Sequence, residues 1–301
     1  MVSRAKIALL TCAQYPELFE DEHALLARLA SRDIDARAVI WNNPNVDWRS
    51  FDRVVLRNTW DYFERMVEFL PWLDQMEREQ VELRNSIPLI RWNMDKFYLR
   101  ELEGKGVRIV PTLFLDKGSA VDLAECIEER RFGEAILKPA VSGGAYRTHR
   151  IPAGAGRDFQ SHAEVILKEC GALVQPFISE VVSEGEWSFL FFGGVFSHAV
   201  LKTPAQGDFR VQPQFGARTV QMSPSPELIA EARRSLDLLP FPALYARIDG
   251  VRVKGELQLM EVEVIEPYLF TAELPAAQDR FVDCLVADLA QGVPASLSPS
   301  P

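Results

Sequence analysis

Three carboxylates toward the carboxyl end of the chain are spaced for metal chemistry. Asp249 closes an apolar β-like run, Leu244 to Ile248, and Glu261 and Glu263 sit in a second, Leu257 to Ile265, beyond a short Gly-containing link at Val253 to Glu256. Two such runs joined so closely predict a hairpin. Side chains alternate along a strand, so Glu261 and Glu263 point to one face and strand pairing brings Asp249 beside them. Like charges at that separation repel unless a cation sits between them, and Mg²⁺ selects carboxylate oxygens together with phosphates. The trio therefore reads as a metal site facing a polyphosphate. A solvated strand face is the alternative for a lone E-x-E, but the flanking Leu259, Met260, Val262 and Val264 are apolar.

Several cations could serve the same anion. Lys138 leaves a strand-like run, Ala135 to Lys138, and Ser142-Gly143-Gly144 follows, a turn whose backbone amides can approach phosphate oxygens closely. The lysine precedes the glycines and no helix pattern follows, so this is not the Walker arrangement, and a hairpin with a flexible Gly-Gly tip is the competing account. Lys96 stands near the start of a predicted helix, Met94 to Glu103, against the preference of cations for the other end, which suits a phosphate contact. Lys202 and Arg210 fall in LKTPAQGDFRVQPQFGA, a stretch without helical period that reads as a substrate or phosphate loop.

Past the short strand Ala172 to Phe177, broken at Pro176, an extended segment with unpaired backbone groups could read an adenine edge, with Glu180 or Glu186 accepting from ribose hydroxyls. For a small amino-acid-like substrate, the segment RNTWDY offers Arg57 as a carboxylate fork, Thr59 as a hydroxyl, Trp60 as an aromatic wall and Asp61 as an amine acceptor, with Glu266 as a further amine contact. An Arg-Asp pair with a packed Trp capping a helix start is the structural alternative.

These residues need a frame. Lys6 to Thr11, Ala36 to Trp41 and Arg53 to Arg57 are predicted strands alternating with helices at Glu20 to Ser31 and Glu64 to Glu79, which means a parallel α/β layer. Open parallel sheets bind ligands beyond the strands' carboxyl ends, here Thr11 to Tyr15 and Arg57 to Tyr62. Further along, the patterns predict strands at Val107 to Val110 and Arg147 to Ile151, a helix at Ser119 to Arg130, and a hairpin of Trp187 to Phe192 with Val195 to Leu201. A helix at Glu227 to Leu239 and a closing helix at Gln278 to Gln291 complete the reading, and PASLSPSP is expected to be disordered.

A chain of 301 residues suffices for two or three small domains, and 48 % apolar with 25 % charged content places it among globular proteins. The formal charge of −10 argues against nucleic acid or an anionic membrane surface as partner. No run approaches eighteen apolar residues, no secretory signal is visible behind MVSRAKIALLTC, and Cys12, Cys126, Cys170 and Cys284 form no C-x-x-C pair, so reduced thiols in a cytoplasmic protein are expected. Cys12, at the end of the first strand, is either a nucleophile or a buried structural thiol.

In order, Lys96, Lys138-Pro139 with Ser142-Gly143-Gly144, Gln175-Pro176-Phe177-Ile178, Glu186, Arg210, Asp249 and Glu261-x-Glu263 resemble the ATP-grasp ligases, most closely their glutathione-synthetase-like branch, over Lys6 to about Gly292. The resemblance implies an ATP-grasp fold of mixed α/β and α+β class. It implies an N-terminal parallel α/β domain over 1–92, a central lid over 93–178, a metal and phosphate domain over 179–292 and a tail over 293–301. It places Lys96 and Lys138 on the α- and β-phosphates of ATP, Gln175 to Ile178 on adenine, Glu186 on ribose, Arg210 on the transferred phosphoryl group, and Asp249, Glu261 and Glu263 on two Mg²⁺ ions. Glu263 stands where Asn is more frequent, Ser188 where a basic residue is frequent, and Lys202 where Arg is usual in this phosphate-handling set; the last two argue against glutathione synthesis.

VDWRSFDRVVLRNTWDY and IPLIRWNMDKFYLREL look like a subgroup that includes the O-ureido-D-serine cyclo-ligase of D-cycloserine biosynthesis. The implied reaction is carboxylate-amine ligation through an acyl phosphate on a small amino-acid-like substrate, with ring closure within one molecule as one form. A ligase that joins two amino acids or modifies a peptide, and a non-catalytic nucleotide-binding regulator, are the rival readings, and the intact acidic trio speaks against the regulator. A homo-oligomer is compatible with all of them.

Overall fold

The computed structural model describes residues 4–272 and 274–291, and the expected tail over 293–301 lies outside them. Strands β1 (Ala5–Thr11), β2 (Ile34–Ile40), β3 (Arg53–Asn58) and β4 (Leu83–Arg84) form a parallel sheet in the order β2-β1-β3-β4. Helices α1 (His23–Ser31) and α2 (Met66–Arg78) make the crossovers. The central strands are covered on both faces, which is why IALL and VVL read as continuous apolar runs.

The helix expected over Met94 to Glu103 begins only at Tyr98, as α4 (Tyr98–Gly104), and a separate helix α3 (Ile87–Asn93) precedes it, with Lys96 in the break between them. The break has a use: the Lys96 amide donates to Ala140 O at 2.9 Å, and Asn93 and Tyr98 are freed to bond elsewhere. The strand expected at Val107 to Val110 shrinks to a single bridge, Ile109 with Leu259, between Gly106 at φ +84° and Pro111.

A second, antiparallel sheet follows in the order β5-β8-β6-β7, built from β5 (Leu113–Leu115), β6 (Ala135–Pro139), β7 (His149–Ile151) and β8 (Ala172–Pro176). Helices α5 (Leu123–Glu129) and α6 (Gln160–Glu169) cover it. Helix α5 starts four residues later than the expected Ser119, because Asp122 caps it by accepting from the Glu125 amide.

The third sheet is antiparallel, β11-β10-β9-β12-β13, from β9 (Glu186–Phe192), β10 (Val195–Thr203), β11 (Arg218–Met222), β12 (Tyr245–Val253) and β13 (Glu256–Glu263). A short helix α7 (Glu180–Ser183) leads into it, and α8 (Pro226–Asp237) packs on it. Helix α9 (Pro275–Ala290) returns to the first sheet, burying Phe281, Val282 and Leu285 among Ile7, Leu9 and Phe192.

Strand β13 is the last of its sheet, and its outer edge would leave backbone groups unpaired. The connector covers it, with the backbone of Arg108 and Val110 bonded to Leu259 and side chains taking the end nearer the acids. The Tyr98 hydroxyl donates to Val262 O at 2.9 Å and accepts from Val262 N at 2.8 Å, while Asn93 donates to Val262 O and accepts from Val264 N. Asn85 does the same one step on, donating to Tyr245 O and Val264 O. The hairpin that carries the acids is thereby held in register against the rest of the molecule.

Candidate active site

The hairpin predicted from the carboxylate spacing is present, with β12 running on past Asp249 to Val253 before turning at Lys254 and Gly255. Asp249 pairs with Glu261, and Arg247 pairs with Glu263, so all four side chains stand on one face. Register carries that face across the sheet: Ser188 of β9 lies opposite Asp249 and donates to its Oδ1 at 2.6 Å, and Lys202 of β10 lies opposite Glu186. Lys202 Nζ is 2.6 Å from Glu186 and 3.6 Å from Asp249. Ser188, flagged as an absent cation, is thus a hydrogen-bond partner of the buried Asp249.

Arg247 is the residue that sequence reasoning passed over. Its guanidinium donates to Asp249 Oδ2 at 2.8 Å, bonds Glu263, and reaches Tyr268 O at 3.2 Å. Its place two residues before Asp249 on a strand was the available signal, since the two must share a face. The cation lying between Asp249 and Glu263 in this structure is therefore a fixed guanidinium. Among the described residues no three His, Cys, Asp or Glu side chains converge into a ready metal cage. The donor set nonetheless fits Mg²⁺ in type: three hard carboxylates on one face, in a field that one arginine does not neutralise.

The charge balance makes this concrete. Burial opposes ionisation of Asp249, yet Arg247 and Lys202 overcome it and hold the carboxyl at about 2. Burial dominates at Glu263, and with Glu261 and Asp249 nearby its carboxyl is pushed up to about 7 despite Arg247. Glu266 is raised well above the usual carboxylate range, first by burial and then by Glu263.

Lys96 and Lys138 complete the cationic side. Lys96 Nζ lies 2.9 Å from Glu261 and donates to Ser142 O at 2.5 Å, tying the glycine-rich loop to the acid face. The Lys138 side-chain amine has no hydrogen-bond or ion-pair partner among the described residues. Its amine is pushed down by burial, with Glu261, Lys96 and Glu186 near enough to act on it. In the loop, Ser142 Oγ donates to Pro139 O, Gly144 adopts φ +56°, and no hydrogen bond engages the amides of Gly143, Gly144 and Ala145 among the described residues.

The hinge differs from the open segment expected. Phe177 N donates to Glu134 O, Ile178 O accepts from Val181 N, and Gln175 donates to Thr112 Oγ1, so only part of this backbone after Pro176 is free. Of the two ribose candidates, Glu186 is buried and bonded to Lys202, and Glu180 opens α7 with Ser179 on its carboxylate. Arg210 is not brought to the acid face. It pairs with Asp208 at 2.8 Å and stacks 3.6 Å over Phe215.

On the substrate side the structure corrects the reading of RNTWDY. Arg57 is fully buried, bonded to Glu22 and to Pro267 O, and cannot clamp a substrate carboxylate. Thr59 is buried too, and Asp61 accepts from Trp41 Nε1 and Arg65. An arginine bonded to an acid is what the structural alternative supposed, though the partner is Glu22 and not Asp61. Only Glu266 of the four sits in the field of the acid face, and Trp60 Nε1 donates to its carbonyl. Cys12 is buried and burial raises its thiol, which fits the structural role over the nucleophilic one.

Comparison with solved structures places this architecture. D-alanine–D-alanine ligase from Bacillus anthracis matches with a TM-score of 0.72 at 15% identity, covering 95% of this chain and 98% of that one. The ATP-grasp ligase PsnB, in complex with a precursor variant, Mg and ADP, matches with a TM-score of 0.66 at 15% identity, over 95% of this chain and 100% of that one. Both share the fold. A family model described as the D-cycloserine synthetase DcsG N-terminal domain matches residues 7–85. The cycloserine biosynthesis protein DcsG of Streptomyces lavendulae is 28% identical over 281 residues, 87% of this chain and 92% of that protein. The crystal structure of D-cycloserine synthetase DcsG superposes with a TM-score of 0.85 at 27% identity, covering 95% of this chain and 100% of that one. The chain is similar to DcsG over most of its length and has the fold of the ATP-grasp ligases. Within this DcsG-like chain the family-model match covers the parallel sheet and stops at Asn85, so the acid face lies beyond it.

Proposed function

We propose that this chain is an ATP-dependent carboxylate-amine ligase that activates a small amino-acid-like substrate as an acyl phosphate. The observation that carries the reading is the shared face of Asp249, Glu261 and Glu263, with Lys96 bridging from Glu261 to the glycine-rich loop. An adenine pocket alone would have no use for it.

The substrate carboxylate attacks the γ-phosphorus, the bond to ADP breaks, and the resulting acyl phosphate is attacked by an amine-type nitrogen. The C–N bond forms as inorganic phosphate leaves and the nitrogen loses a proton. Asp249, Glu261 and Glu263 would hold two Mg²⁺ ions, which when bound neutralise charge on the β- and γ-phosphates. Lys96, Lys138 and the amides of Gly143, Gly144 and Ala145 hold the phosphates. Gln175 to Ile178 line the adenine, with Glu186 or Glu180 on the ribose. Arg247 and Lys202 fix the carboxylates, and Arg247 adds positive charge where the acyl phosphate reacts. Arg210 takes part only if its pairing with Asp208 opens. Glu266 contacts the substrate amine.

The reading divides the chain into a substrate-side layer (1–92), a lid (93–178) and a metal and phosphate domain (179–292). It takes ring closure within one molecule, of the O-ureido-D-serine to D-cycloserine type, as the leading form, because the DcsG match runs over most of both chains. The place of action is the cytoplasm; among the described residues no helix is long and apolar enough to cross a membrane.

The test is a panel of small amino acids, D-serine derivatives included, scored by ADP release and product mass. A product lighter than a single substrate by one water, and for O-ureido-D-serine by its carbamoyl group as well, marks ring closure, and a heavier one marks joining of two molecules. Lys138→Ala and Glu261→Ala are each expected to lower turnover on the order of 10²- to 10³-fold if they act like oxyanion-stabilising groups. Retained substrate-dependent ADP release by the folded variants would reject the assignment.

A further inference from the structure

The glycine-rich loop meets the substrate-side layer at one aromatic ring. Phe63 stands in the 3-10 turn Tyr62–Glu64, just beyond the carboxyl end of β3, and its ring lies across the backbone of Gly143. A Cβ on Gly143 would fall 2.8 Å from Phe63 Cε1, closer than real Cβ atoms approach, and 3.1 Å from Cδ1, a tight contact. Gly143 is not among the residues at positive φ, so its backbone would accept a side chain and the ring is what excludes one. Gly144 is the opposite case, needing its φ of +56° with room around it.

Two further contacts grip the loop. Tyr146, whose amide donates to Gly143 O at 2.9 Å, sets its ring centroid 5.5 Å from that of Phe63. On the other flank, Gln214 Nε2 lies 3.6 Å from where a Cβ on Gly144 would be. The unengaged amides of 143–145 are useful to an anion only if the loop is already shaped, because ordering it on binding would subtract from affinity.

We propose that Phe63 is a positioning residue that seats the glycine-rich loop over the triphosphate, so that nucleotide affinity is set partly by a side chain of the substrate-side layer. The inference rests on the phosphate role of the loop given above. Phe63 belongs to the layer whose carboxyl end faces the substrate, and so couples the fit of that layer to the phosphate cradle.

A double-mutant cycle on the full chain tests it, reading affinity for a nonhydrolysable ATP analogue with Mg²⁺ by calorimetry, beside thermal unfolding. Gly143→Ala is expected to weaken binding about tenfold in the parent and less than about threefold in the Phe63→Ala background, a coupling typical of touching residues. Phe63→Ala alone raises KM for ATP several-fold and leaves KM for the amino-acid substrate and the melting temperature near the parent's. Equal losses in both backgrounds, or unchanged nucleotide affinity in Phe63→Ala, would overturn the proposal. If Gly143→Ala does not fold, Phe63→Ala decides by itself. A parent that fails to bind the magnesium nucleotide sinks the ligase reading as well, whereas a parent that binds it with additive effects sinks only the role of Phe63.

Discussion

At the scale of single residues, charge alone did not separate the functional from the structural. Arg57 and Arg247 are both buried and both bonded to carboxylates. Arg57 is paired to one acid and to the carbonyls of Leu56 and Pro267, with the rings of Tyr245 and Phe281 5.4 Å away, and it has no route to a ligand. Arg247 is bonded to two carboxylates, Asp249 and Glu263, on the face that also carries Glu261. Removing one partner of a buried pair leaves the other charge desolvated and alone, so Arg57→Ala is expected to cost about 3–5 kcal/mol of stability. Urea unfolding would show it, and a folded variant with only a raised substrate KM would restore Arg57 as a ligand.

At the scale of elements, the end of the acid hairpin around Val262 and Val264 is held by side chains that no strand pattern contains. The outer edge of β13 is closed there by Tyr98, Asn93 and Asn85, all from the connector between the first and second sheets. Tyr98→Phe keeps the ring and removes a hydroxyl that serves both the amide and the carbonyl of Val262. Two buried backbone groups would each lose a partner, so a loss of about 1–3 kcal/mol is expected. Because Glu261 and Glu263 flank Val262, KM for magnesium ATP should rise with it. A normal KM in a destabilised Tyr98→Phe variant would mean that the hairpin keeps its shape without the hydroxyl.

At the scale of the whole molecule, helix α9 joins the first sheet to the third. Phe281 lies 5.1 Å from Phe192 and 5.9 Å from Tyr245 between ring centroids, in a core shared with Ile7 and Leu9. Phe281→Ala would open a cavity there and is expected to cost about 3–5 kcal/mol. Because the core is shared, the two sheets should still unfold in one transition, at lower temperature. Calorimetry resolving two transitions would show that they melt separately. The overall charge of −10 is compatible with phosphate chemistry because Lys96, Lys138, Lys202 and Arg247 are gathered at one place.

The sequence by itself determined the pieces whose physics is local. Alternation and apolar flanks were enough for the β12-β13 hairpin and for placing Asp249, Glu261 and Glu263 on one face, and strand-like runs taking turns with helical patterns were enough for a parallel layer. The order of Lys96, Lys138, the Ser-Gly-Gly turn and the acids carried the resemblance to the ATP-grasp ligases, and that resemblance implied the fold. What depended on packing between distant segments was decided only by the tertiary structure. Whether Arg57 faces a ligand or Glu22 turns on a residue 35 positions away, and the break of the helix at Lys96 turns on an acceptor at Ala140. The cation beside the acids is Arg247, a residue whose meaning appears once β12 is paired. Periodicity reports which face a side chain takes; it does not report what stands opposite.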